Sequence, residues 1–138
     1  DVFNATDQLH KRTYTGNLDI LWNSISLRRD NFFSGLQLKG IEVRNAVDVA
    51  LRIARNRISG KKESGLLSFL ENNDNQAGIL LRNIDKGRLA IHSNSVTDRV
   101  YGVHAMRFTL TTFWDVDDLR TRGVKKAVFS EEVPNRYT

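Results

Sequence analysis

Residues Asn45–Gly60 read NAVDVALRIARNRISG. Val47, Ala50, Leu51, Ala54 and Ile58 stand at i, i+3, i+4, i+7 and i+11, which is the spacing of one helical face. Arg44, Asp48, Arg52 and Arg55 gather along one flank of that helix, and Gly60 is a natural stop at its end. Ser64 then caps a second, short helix through Leu70. The fold class turns on this stretch.

Upstream, Leu18, Ile20 and Trp22 alternate, and Ile25 and Leu27 follow after a phase change, as in a bulged strand. Arg28-Arg29-Asp30-Asn31 forms a turn, and SGLQLKGIEV is open between strand and helix. Downstream, Ile79–Leu81 begins a strand, Asp85-Lys86-Gly87 makes a hairpin-type turn, and Leu89 and Ile91 return. After a polar turn at Asn94–Asp98, the strongest strand runs from Val100 to Trp114. Met106, Phe108 and Leu110 point to one side of it and Arg107, Thr109 and Thr111 to the other. Asp115 caps a short helix ending near Gly123, and Ala127 and Phe129 form a last edge strand. This order predicts a single α+β domain: an antiparallel sheet with two to three helices packed on one side. The boundaries are a polar arm over 1–16, a globular domain over 17–130 and a polar tail over 131–138. No internal repeat is visible at this level.

The chain has 138 residues, 40% hydrophobic and 27% charged, enough for one domain with a real core. It holds no Cys, which excludes disulfides and thiolate zinc sites. No apolar run reaches the roughly 18 residues of a membrane-spanning helix. The first residue is Asp1 rather than Met, so a basic arm or docking segment can precede it. The net charge of +5 comes from 21 basic and 16 acidic residues. Five bases, Arg52, Arg55, Arg57, Lys61 and Lys62, lie within twelve residues that hold no acid. The remaining bases and acids balance, so one segment carries the whole excess. Such a footprint suits a polyanion, either nucleic acid or an anionic membrane surface. The plainer reading is a solvated helix end, where cations favour the dipole.

Catalytic chemistry is hard to find. Gly60-Lys61 is followed by Lys62, and Arg55 stands where a phosphate loop needs its first Gly. Ser64 lacks the Gly two residues earlier that a nucleophile elbow requires. Asp115, Asp117 and Asp118 meet Arg120 and Lys126 where a calcium loop needs Gly and Glu. His10, His92 and His104 show no metal spacing. No enzyme, cofactor or metal is expected. Arg107, Thr109 and Thr111 on the open strand face offer no stacking platform for RNA, so nucleic-acid contact would be electrostatic.

In their order, four stretches resemble the globular domain of rhabdovirus matrix proteins. These are the strand ending in SLRRDNFF, the basic segment VDVALRIARNRISGKKESGLLSFL, the strand DKGRLAIHS and the strand YGVHAMRFTLTTFWDVDDL. The resemblance implies a non-enzymatic structural protein. It would condense a helical nucleocapsid, bridge it to the inner leaflet of a viral envelope and self-associate. Its place would be the virion beneath the envelope, and the host cytoplasm and membrane inner face during assembly. Arg28, Arg29, Arg52, Arg55, Arg57, Lys61 and Lys62 would face the nucleoprotein–RNA complex or anionic lipid. Self-association would fall to the loop Asn72, Asn73, Asp74, Asn75, Gln76, Ala77 and Gly78. Beside it stands a basic α+β nucleic-acid-binding domain.

Overall fold

The computed structural model describes residues 14–27, 39–60 and 77–135. Among these the secondary structure is all strand: β1 (Tyr14–Leu21), β2 (Ser24–Ser26), β3 (Ile41–Ala54), β4 (Arg57–Ser59), β5 (Ala77–Asp85), β6 (Arg88–His92), β7 (Ser95–Thr97), β8 (Tyr101–Phe108), β9 (Phe113–Asp117), β10 (Arg120–Arg122) and β11 (Lys126–Glu131). Every pairing is parallel. The expected α+β domain with an antiparallel sheet is therefore overturned. The expected helix at 45–58 is the second half of β3 plus β4, and the one after Asp115 is β9 and β10. The short helix expected at Ser64–Leu70 lies outside the described residues.

Consecutive strands do not pair with each other. Each pairs with its equivalents one turn earlier and later, so the chain winds as a β-helix with three faces. Face 1 stacks the first half of β3 with β5, β8 and β11. Face 2 stacks β1, the second half of β3, β6 and β9. Face 3 stacks β2, β4, β7 and β10. Residues stack in columns across turns. Leu18, Leu51, Leu89 and Trp114 form one inward column of face 2, and Ile20, Ile53, Ile91 and Val116 form the next. Ile41, Ile79, Val103 and Val128 run down face 1, and Ile25, Ile58 and Val96 down face 3. These columns meet in one core. Fully burying each such side chain contributes about 1.5–3 kcal/mol.

The helical spacing of Asn45–Gly60 has a local cause. Asn45, Asp48 and Arg55 have positive φ, near 59°, 53° and 57°. Each left-handed residue bends the strand and resets its alternation. The core-facing side chains are consequently Val43, Ala46, Val49, Leu51, Ile53, Asn56 and Ile58, all buried. They are three apart across a bend and two apart elsewhere, a mixture that imitates a helix. Val47 and Ala50, placed on the helical face by spacing, are half-buried and exposed. Arg107, at φ 59°, does the same in β8. His104 and Met106 face outward by alternation with Val103 and Ala105, and the bend at Arg107 then brings Phe108 inward, so Met106 and Phe108 do not share a side.

The turn between faces 2 and 3 repeats with little change. Trp22, Arg55, Ser93 and Asp118 stand in register there, all with positive φ. Asn23, Asn56 and Asn94 follow in the first three turns. The backbone and side-chain amides of Asn23 both donate to Asn56 Oδ1 at 2.9 Å. Asn56 Nδ2 donates to Asn94 Oδ1 at 3.0 Å and to the Ile20 carbonyl at 2.9 Å. Asn94 Nδ2 reaches the Ile53 carbonyl at 2.9 Å. Asn56 and Asn94 are buried, and this ladder satisfies amides that the core would otherwise strand.

Candidate polyanion-binding face

The four strands of face 3 are three residues each: SIS, RIS, SVT and RTR. Alternation sends Ile25, Ile58 and Val96 into the core, and the flanking positions outward. The outward positions form two columns. One is Ser24, Arg57, Ser95 and Arg120; the other is Ser26, Ser59, Thr97 and Arg122. They comprise three arginines and five hydroxyls, with no carboxylate and no apolar side chain. Two acids, Asp98 and Asp118, stand on the turns at either margin.

Short strands are usually loose, but these are held at both ends. Arg57, Ser95 and Arg120 donate their amides to the carbonyls of Asn23, Asn56 and Asn94 at 2.8–2.9 Å. At the other end Leu27, Gly60 and Asp98 donate to Ser59, Thr97 and Arg122 at 2.8–2.9 Å. Gly60 is needed for that closure, because a Cβ there would sit 2.5 Å from the Asp98 carbonyl oxygen. Neighbouring rungs are therefore fixed about 4.8 Å apart, and the two columns about 6.6 Å apart.

Arg57, Arg120 and Arg122 are exposed. Arg120 Nε lies 3.5 Å from Asp118 Oδ1, with 80% of its side chain open to water, so that pair holds it weakly. Arg57 and Arg122 make no ion pair among the described residues. Guanidinium groups stay charged at any physiological pH and fork onto oxyanions, while Ser and Thr hydroxyls donate to the same oxygens. On the adjoining turn Arg55 lies over the exposed Trp22 ring, 4.8 Å from its centroid.

The basic residues singled out in the sequence separate. Arg57 is on face 3 and Arg55 on its margin. Arg52 is on the outside of face 2, paired to Asp19 at 3.1 Å. Arg28, Arg29, Lys61 and Lys62 lie outside the described residues, as do Asn72, Asn73, Asp74, Asn75 and Gln76. Ala77 and Gly78 open β5 and are buried rather than part of an exposed loop. Arg120, Arg122 and the hydroxyls were missed. Their signal was the repeated NSIS, NRIS and NSVT at 23, 56 and 94, followed by LRTR at 119.

Elsewhere, His104 is buried on the outside of face 1, its Nε2 3.0 Å from Glu131 Oε1. The rings of Tyr101 and Phe129 pack around it. Among the described residues no group of three His, Asp or Glu side chains could hold a metal ion. No helix there is long and apolar enough to cross a membrane.

Fold and face together define a β-helix with one basic, hydroxyl-rich wall. No protein-family model, curated protein or solved structure matches the chain.

Proposed function

We propose that the chain is a β-helical binding module that holds a linear polyanion against face 3. One observation carries this reading: all eight outward positions of the face are Arg, Ser or Thr, on a backbone fixed at both ends of every rung. A rigid wall loses little entropy when a ligand settles on it, so exposed charges count for more than they would on mobile side chains and loops. One of the four stretches of the matrix-protein resemblance was expected as a helix and is a bent strand; of what that resemblance implies, this proposal takes up the polyanion partner.

The test is binding of labelled dextran sulfate, with neutral dextran as the control. The wild-type chain binds the sulfated polymer alone, and more weakly as salt rises. Replacing Arg57, Arg120 and Arg122 together by Ser removes about 1 kcal/mol per charge-assisted contact, or roughly a hundredfold in affinity. A triple variant that keeps wild-type affinity would overturn the proposal.

A further inference from the structure

The polyanion proposal leaves open which polymer face 3 fits and how it lies. Resting on that reading, we infer that the ligand is a sulfated glycan with its chain parallel to the β-helix axis, its sulfates taken by Arg57 and Arg120.

The first argument is extent. Across the strands the face offers only two outward side chains per rung, a span of about 6.6 Å. Along the axis it offers four rungs, a span of about 14 Å. A chain lying along the axis meets every column member, whereas a chain lying across meets one rung.

The second argument is spacing. Arg57 and Arg120 share a column but stand two rungs apart, with the Ser95 hydroxyl between them. Their backbone separation is therefore about 9.6 Å. An extended glycan presents equivalent groups once per disaccharide, a repeat close to two rungs. The residue between two sulfates then lies over Ser95 and Thr97, whose hydroxyls can bond its ring substituents. Successive phosphates of a single-stranded nucleic acid are closer together than this.

The third argument is what the wall lacks. Single-stranded nucleic acids bind through bases stacked on aromatic rings as well as through phosphates. None of the eight outward residues is aromatic. Trp22, on the margin, has Arg55 against its ring.

Chondroitin 4-sulfate di-, tetra- and hexasaccharides, and a uridylate matched in net charge to the tetrasaccharide, provide the test by titration calorimetry with the 138-residue chain. The tetrasaccharide binds about tenfold more tightly than the disaccharide, because it reaches a second arginine, and the hexasaccharide gains little more. Arg57→Ser abolishes the gain from di- to tetrasaccharide and leaves the thermal midpoint unchanged. A chain lying across the strands would ignore Arg57, and that result overturns the inference. Tighter binding of the uridylate also overturns it while leaving the polyanion proposal standing. If no glycan and no uridylate binds, both fall.

Discussion

Asn56 does more for this fold than any apolar residue of its size could. Its side chain accepts two bonds from Asn23 and donates to Asn94 and to the Ile20 carbonyl of β1, one turn earlier. Asn56→Ala removes these and leaves buried partners unpaired. It should lower stability by about 3 kcal/mol in urea denaturation, with Asn94→Ala similar and the double variant clearly less than additive. A wild-type midpoint for Asn56→Ala would show the ladder to be dispensable. The residue before each ladder Asn is left-handed, so side-chain shape matters there in a second way. Ser93→Val should cost about 1–2 kcal/mol, whereas Ser93→Gly should stay within roughly 0.5 kcal/mol of wild type by the same measurement. Charge at the wall is simpler. Arginine does not titrate in the accessible range, so affinity for dextran sulfate should be flat from about pH 5 to about pH 9. The ladder was present in the sequence as NSIS, NRIS and NSVT, but the three asparagines read differently by their surroundings: Asn23 in a bulged strand, Asn56 in a helix and Asn94 in a polar turn.

Strands were legible and their partners were not. The elements around Leu18, Ile79, Leu89, Val103 and Val128 follow alternation and were located from it. Asp85-Lys86-Gly87 was equally visible as a turn, but it joins strands on different faces rather than a hairpin pair. Turn residues specify that the chain bends, and do not specify which strand comes to lie alongside. The helix at Asn45–Gly60 failed for a different reason: left-handed residues, invisible in a hydrophobic pattern, moved the core-facing positions from two to three apart. Close approach between faces is the other property that spacing conceals. Gly78, the second residue of β5, stands where a Cβ would lie 2.5 Å from Val96 Cγ1, across the corner between faces 1 and 3. Gly78→Ala should therefore destabilise by about 1–3 kcal/mol through overpacking. If the midpoint of thermal unfolding did not move, the packing of that corner would have to be looser than described.

At the scale of the whole molecule, no strand pairing among the described residues is local. Every rung of the core joins residues 33, 38 or about 25 positions apart. Folding must therefore close long loops before any strand is rewarded, and refolding from urea should be slow, on the order of milliseconds to seconds or longer. Far-UV circular dichroism should show a single β-type minimum; a helical double minimum would contradict the fold. The same unequal intervals hid the repeat, because a period of about 25 residues is recognisable only when it holds constant. The basic wall was half legible. Arg55 and Arg57 lay in a conspicuous run, whereas Arg120 and Arg122 joined them only once the chain had wound round. The large differences in interval arise at one corner. Between Thr97 and Tyr101, and again between Arg122 and Lys126, three residues carry the chain from face 3 to face 1, whereas longer stretches do so after Ser26 and Ser59. The walls thus behave like a reading frame whose widest tolerance is at that junction, the corner between faces 1 and 2 admitting one extra residue between turns. Six Gly-Ser residues added after Gly123 should leave the thermal midpoint nearly unchanged. One residue added between Arg55 and Asn56 should behave as a frameshift, putting every later side chain of that turn out of step with its neighbours above and below.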